Sequence, residues 1–159
     1  MKIQLESIGT IHSPFTSLEN MPIQPSRAGH VEGEVIIDEQ FAEGLKDLDM
    51  FSHIYLIYFL HKASRTELLV VPYMDTVKRG VFATRSPLRP SHIGLSIVEL
   101  ISVDGNRLKV RGLDILDGTP LLDIKPFVPR FDNREDAKSG WLKASPDEIE
   151  QKRSHDRFV

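Results

Sequence analysis

The sequence predicts an all-β domain: a compact closed or nearly closed barrel with short peripheral helices. Three observations carry that reading. Apolar, β-branched runs of strand length recur along the chain, most clearly at 51–60, 93–103 and 107–116. The last two flank Asp104-Gly105-Asn106, a turn signature that joins antiparallel neighbours into a hairpin. Helical patterns between strands are scarce, and no Gly-x-Gly-x-x-Gly opens a helix, which argues against a Rossmann domain. A barrel is favoured over a sandwich because closure removes exposed strand edges.

Taken in order, residues 1–11 alternate in character and read as a first strand. Residues 12–27 contain Pro14, Pro22 and Pro25 without any period, so they form a long loop, and such loops in compact domains are more often functional than idle. Strand character returns at 29–37. Asp38 is placed to cap a short helix over 38–48, with Phe41, Leu45 and Leu48 at helical spacing, although Gly44 weakens that helix. Residues 51–60 form an apolar strand ended by His61 and Lys62. Another strand at 68–73 is closed by Pro72. In the second hairpin strand Leu108 and Val110 alternate with Lys109 and Arg111, which places the basic pair on one face. After the turn at 117–120 come an apolar piece at 121–124 and a proline-extended stretch. Ser145-Pro146-Asp147-Glu148 combines an N-cap, a first-turn proline and a capping-box glutamate, predicting a helix to about Ser154. The expected organisation is one barrel domain over 1–132 and a polar tail over 133–159.

The chain of 159 residues is long enough to bury a core. It has no cysteine, hence neither a disulfide framework nor thiolate chemistry. The longest apolar run falls far short of the about 20 residues that span a bilayer. The expectation is a soluble, cytoplasmic protein. Six histidines, at 12, 30, 53, 61, 92 and 155, show no metal-ligand spacing, so no metal is expected. The net charge of −3 conceals an asymmetry: residues 1–77 carry −6, residues 78–111 carry +5 and the remainder −2. A positive zone on an acidic chain points to an anionic ligand at one face. Within that zone Arg85, Ser86, Pro87, Arg89, Pro90, Ser91 and His92 form a polar loop stiffened by prolines, directly before the strand at 93–103.

Three stretches together resemble a known family. Phe51-Ser52-His53 leads into an apolar strand ending at His61. Gly80-Val81-Phe82-Ala83-Thr84-Arg85-Ser86-Pro87-Leu88-Arg89-Pro90 is followed by Ile93-Gly94-Leu95-Ser96. Asp114-Ile115-Leu116-Asp117-Gly118-Thr119-Pro120 is followed by Leu122-Asp123-Ile124-Lys125-Pro126. These resemble the TsaA-like (TrmO) family of S-adenosylmethionine-dependent tRNA methyltransferases over roughly residues 3–132. The resemblance implies a β-barrel that binds S-adenosylmethionine, forms a homodimer and methylates N6 of the threonylcarbamoylated adenosine beside the tRNA anticodon.

By motif position, the resemblance implies a cofactor site drawing on Gln24, Pro25 and Ser26, on Leu60 and His61, on Arg85 and Leu95, and on the backbone of Val110, Arg111, Gly112 and Leu113. Arg85 suits a forked pair with the methionine carboxylate. The departing proton needs an acceptor, for which His61 and Asp114 are the candidates. Arg89, Lys109, Arg111 and Lys125 are candidates for tRNA phosphates. The chain departs from the family pattern in two places, Ser91-His92 for Asn-Pro and Ile23 where a basic residue is common, and with only a polar tail past 132 no second, C-terminal domain of the kind many bacterial members carry is expected. Two alternatives follow: a related methyltransferase with another nucleoside or small-molecule substrate, and a non-catalytic module that binds S-adenosylmethionine or RNA.

Overall fold

Eight strands organise the molecule, which is described here from a computed structural model over residues 1–19, 21, 29–143 and 148. In chain order they are β1 (Gly9–His12), β2 (Glu32–Ile37), β3 (His53–Phe59), β4 (Leu69–Val70), β5 (Arg79–Gly80), β6 (Ile93–Asp104), β7 (Arg107–Arg111) and β8 (Thr119–Pro126). Six of them close into a barrel in the order β1-β2-β7-β6-β3-β8, with β8 returning to β1 and every pairing antiparallel. β4 and β5 form a separate two-stranded ribbon. A single helical turn, α1 (Pro129–Asp132), follows the barrel.

The two-residue period fills the interior. Ile54, Leu56 and Tyr58 of β3 face Val98 and Leu100 of β6, Leu108 and Val110 of β7, Val35 and Ile37 of β2, Ile11 of β1 and Leu121 of β8. A bulge between Leu100 and Ser102 lets β6 change phase: Ile101 turns outward and Val103 packs against the core beyond it. Gly105, at φ 59°, makes the tight turn that joins β6 to β7, as the sequence implies.

Several elements differ from expectation, each for a local reason. β1 begins only at Gly9; residues 1–6 are exposed, and Ile3 and Leu5 find no core. The expected helix over 38–48 is two 3-10 segments, Glu39–Leu45 and Leu48–Met50, and the Asp38 side chain makes no cap bond. With Gly44 and one buried anchor, Leu45, an α-helix has little to hold it. The strand expected at 68–73 shrinks to two residues because Leu68 and Leu69 are exposed and Pro72 offers no N–H. β7 stops at Arg111 because Gly112, at φ 90°, leaves the ladder. β8 is longer than expected, tolerating Pro120 and Pro126 close to its ends. The capping-box helix over 145–154 lies outside the described residues apart from Glu148.

The topology makes the two ends of the barrel unlike. One end is closed by the β6–β7 turn and by the 3-10 segments between β2 and β3. At the other end emerge the three long connections, 13–31, 60–92 and 112–118. This open rim gathers most of the motif residues.

Candidate functional site

The 60–92 connection carries its own small core, in which Val70, Val81 and Leu88 are buried against Tyr73. On that base the Val81–Ala83 3-10 turn is followed by a chain of side-chain-to-backbone bonds. Thr84 Oγ1 donates to the Val81 carbonyl at 2.8 Å, and the Ser86 and Leu88 amides donate to Thr84 Oγ1 and Ser86 Oγ, each at 3.2 Å. Arg89 Nη1 reaches back to the Thr84 and Ser86 carbonyls at 3.1 and 3.3 Å. Arg85 therefore projects, exposed, from a backbone pinned on both sides. Arg89, a candidate phosphate ligand, acts as the clasp of that loop.

His92 joins this loop to the barrel. It stands in the left-handed region at φ 48°; its Nδ1 donates to the Pro87 carbonyl at 2.9 Å, and its own carbonyl accepts the Leu60 amide at 2.7 Å. Its ring meets Phe59 edge-on at 6.3 Å. A proline could not adopt this φ, so Ser91-His92 gives the loop a turn that Asn-Pro would forbid.

Inside the rim lies a polar chain that joins β3, β6 and the 112–118 connection. Tyr58 on β3 is paired in register with Gly94 on β6, and a Cβ at Gly94 would run into the Tyr58 ring. The missing Cβ lets the ring lie across β6 and bring its hydroxyl 2.9 Å from Ser96 Oγ. Ser96 Oγ in turn donates to Asp114 Oδ1 at 2.7 Å. Since Ser96 spends its proton on Asp114, Tyr58 is the donor to Ser96. Burial pushes the Asp114 carboxyl up to about 6, against the lowering effect of the Ser96 bond, its own backbone amide and the Arg85 charge. Burial and the Asp114 charge also drive the Tyr58 hydroxyl well upward, so it remains a donor at all ordinary pH. Arg85 lies close enough to lower both groups, which places its guanidinium, Asp114 and Tyr58 in one electrostatic neighbourhood.

His61 follows the end of β3. Burial, then the neighbouring Lys62 charge, lowers its pKa below the ordinary histidine value. Its Nδ1 sits 3.4 Å from Thr119 Oγ1, a long contact, while Thr119 Oγ1 donates to the Leu116 carbonyl at 2.6 Å. That assignment leaves Thr119 to accept, so Nδ1 carries the proton and Nε2 is the basic nitrogen. The 112–118 connection is fastened to the first loop by Ser13 Oγ on the Ile115 carbonyl at 2.6 Å and by the Ser13 amide on Asp117 at 3.1 Å.

The remaining expected positions are distributed differently. Gln24, Pro25 and Ser26, with Ile23, lie outside the described residues. Leu60 packs against the barrel core, whereas Leu95 points outward from β6, on the face opposite Ser96, and is 55% exposed. Val110 and Leu113 are fully buried, and the Gly112 and Leu113 amides both donate to the Val31 carbonyl, at 2.8 and 3.3 Å. Lys109 and Arg111 do share the outer face of β7, but each meets carboxylates: Lys109 pairs with Glu32 at 2.9 Å, and Arg111 with Glu32 at 2.9 Å and Glu99 at 3.1 Å. Lys125 pairs with Asp123 at 3.0 Å. Tyr58, Ser96 and Thr119 are not among the site residues that the sequence predicts. Ser96 and Thr119 stand within the second and third family-like stretches, and Tyr58 and Ser96 fall on inward positions of the adjacent strands β3 and β6.

Comparison with known proteins identifies the family of the barrel. A family model described as the tRNA-methyltransferase O N-terminal domain matches residues 10–133. A probable S-adenosyl-L-methionine-binding protein of Pyrococcus abyssi is 54% identical over 151 residues, 95% of this chain and 82% of that protein. The tRNA (adenine(37)-N6)-methyltransferase of Escherichia coli is 34% identical over 153 residues, 90% of this chain and 65% of the enzyme. The crystal structure of TrmO from Pseudomonas aeruginosa superposes with a TM-score of 0.76 at 38% identity, covering 92% of this chain and 64% of that one. The chain thus spans slightly less than two thirds of the length of these two methyltransferase relatives. The closed barrel, its open rim and these matches together make the chain a member of the tRNA-methyltransferase O N-terminal domain family.

Proposed function

We propose that the chain is an S-adenosylmethionine-dependent methyltransferase that modifies N6 of the threonylcarbamoylated adenosine next to the tRNA anticodon. The observation that carries the reading is the gathering of Arg85, His61 and the Tyr58–Ser96–Asp114 chain at one barrel rim in a member of this family. The donor set fits the cofactor. Arg85 offers a cation to a carboxylate, Asp114 an anion to an ammonium or sulfonium centre, and the partly buried Leu60 an apolar wall. Bound S-adenosylmethionine supplies an electrophilic methyl group on sulfur.

The protein's own contribution is position and proton handling. Arg85, on its pinned backbone, holds the carboxylate end by charge-assisted hydrogen bonds. The polar chain fixes the Asp114 carboxylate, whose raised pKa makes it a better proton acceptor than an ordinary aspartate. His61, neutral and basic at Nε2, is the second acceptor at the rim. Lys109, Arg111, Lys125 and Arg89 meet tRNA phosphates. The ion pairs of Lys109, Arg111 and Lys125 are exposed and screened by water, so a phosphate can replace a carboxylate, whereas Arg89 would first release the Thr84 and Ser86 carbonyls. A homodimer is supported by the apolar outer face of β3 and β6, where Phe59, Ile93, Leu95 and Ile97 are all exposed; a solvated barrel strand would carry polar residues there. Among the described residues no helix is long and apolar enough to cross a membrane; a tRNA substrate would place the reaction in the cytoplasm.

The test is transfer of a labelled methyl group from S-adenosylmethionine to tRNA with and without the threonylcarbamoyl group. Methylation of the modified tRNA alone supports the full reading. Methylation of both relaxes the substrate, and cofactor binding without transfer to any RNA favours the binding-module reading that the Pyrococcus abyssi protein's name carries.

A further inference from the structure

Residues 134–143 follow the stretch that the family model matches, yet they return to the barrel's open rim. Trp141, the only tryptophan in the chain, donates its Nε1 proton to the Ala83 carbonyl at 2.7 Å. The Arg79 guanidinium lies over its ring, 5.7 Å from the centroid. Arg79 is itself fixed by Asp75, Nε to Oδ2 at 2.7 Å, and Asp75 Oδ1 accepts the Thr76 and Val77 amides at 2.7 and 3.2 Å. A single indole thus joins the tail to both β5 and the 3-10 turn that precedes Arg85.

From these contacts we infer that Trp141 is a positioning residue: by clamping the Ala83 carbonyl and stacking on Arg79, it holds the Arg85 loop in its cofactor-binding geometry. The inference rests on the proposed role of Arg85. Arg85 is two residues from Ala83; around it Thr84 Oγ1 returns to the Val81 carbonyl, the Ser86 amide to Thr84 Oγ1, and Arg89 Nη1 to the Thr84 and Ser86 carbonyls. Those bonds lie within residues 81–89 and set the turn's shape, while the Val81 amide on the Leu68 carbonyl at 2.9 Å ties only its first residue to a neighbouring segment. Inward, the turn is anchored by Val81 in the small core with Val70 and Leu88. Outward, Phe82 and Ala83 are exposed, and Trp141 supplies the hydrogen bond there. The indole also spans two segments, so it fixes the turn relative to the β4–β5 ribbon as well as occupying a donor. A segment beyond the family domain therefore tunes a loop inside it.

The test is a double-mutant cycle in the full chain, read by titration with S-adenosylmethionine. Trp141→Ala raises the dissociation constant roughly three- to tenfold, the range expected for one lost hydrogen bond and its stacking partner. Trp141→Phe, which keeps a ring over Arg79 without the donor, gives a smaller rise. On an Arg85→Ala background (Arg85→Lys where the alanine variant binds too weakly to titrate), Trp141→Ala adds little, because its effect passes through Arg85. With cofactor saturating, the turnover number is unchanged while KM for the cofactor rises. An unchanged dissociation constant in Trp141→Ala overturns the inference, even if the melting temperature falls. Full additivity with Arg85 also overturns it, since Trp141 would then act elsewhere. If the wild-type chain itself fails to bind, the cofactor reading is overturned and the inference with it, an outcome distinct from the other two.

Discussion

The two ends of the barrel are built by different means. At the closed end backbone-to-backbone bonds carry most of the closure, with the Asn106 side chain helping. The Leu100 amide donates to the Ser52 carbonyl at 2.8 Å, Phe127 to His53 at 3.0 Å and Ile37 to Asn106 at 2.9 Å, with Asn106 Nδ2 returning to the Ile37 carbonyl at 2.6 Å. At the open rim, side chains of Ser13, Thr84, Ser86, His92 and Thr119 hold the loops in place. All three buried polar side chains of the described residues, Ser86, Ser96 and Thr119, belong to this half. Burying hydroxyls is costly unless each is bonded, and here each one is. The difference teaches that one end is made for closure and the other for holding chemically useful groups at fixed positions.

The sharpest way to break that comparison is to remove the charge at the rim. Asp114→Asn is expected to lower methyl transfer by about 10²- to 10⁴-fold if Asp114 is the proton acceptor. The same change stabilises the protein. The folded pKa is raised above the unfolded value, so the fold favours the protonated form. Stability is therefore lost as pH rises from about 4 through about 6, and the cost is complete above that. At pH 8 the asparagine variant is expected to gain about 1–3 kcal/mol in denaturant unfolding. At pH 4 the gain should vanish. For the wild type, the acid limb of the transfer rate falls near pH 6.

Next in size is the core both ends share. Leu56→Ala, at a fully buried inward position of β3, is expected to cost about 2–5 kcal/mol in chemical unfolding. Arg85→Ala is expected to weaken cofactor binding by about 1.5–3 kcal/mol with little change in melting temperature. An affinity equal to wild type would remove Arg85 from the site. The smallest effect belongs to the outer face of β7. Lys109→Ala with Arg111→Ala leaves cofactor affinity alone and flattens the salt dependence of tRNA binding, as filter binding over a salt series would show. An unaltered slope moves the RNA contact elsewhere.

Much of the barrel was legible because strand period and hairpin turn are local signals. Leu108 and Val110 inside, Lys109 and Arg111 outside, and the turn at Gly105 all follow from neighbouring residues. The candidate site was legible only through motif resemblance, since its geometry is nonlocal. Nothing near Tyr58 in sequence announces Asp114; the pairing of Tyr58 with Gly94 has to exist first. Charge counting located a basic zone but not its partners, because Glu32 and Glu99 reach Arg111 from two other strands. The helix expected at 38–48 failed for a related reason: spacing marks a face, but only packing shows that Leu45 alone is buried there.

The measurement that bears most directly on the open rim as the cofactor site is thermal unfolding with S-adenosylmethionine, run on the wild type, Arg85→Ala and Arg107→Ala. Arg107 lies at the closed end, in an exposed pair with Glu34 at 3.3 Å. At 100 times its dissociation constant the cofactor should add about 2.7 kcal/mol of stability to the wild type and to Arg107→Ala. At that same concentration Arg85→Ala, with its affinity weakened by about 1.5–3 kcal/mol, should keep about 0.3–1.3 kcal/mol of the gain. No gain in the wild type, or an equal loss in Arg107→Ala, would contradict the assignment.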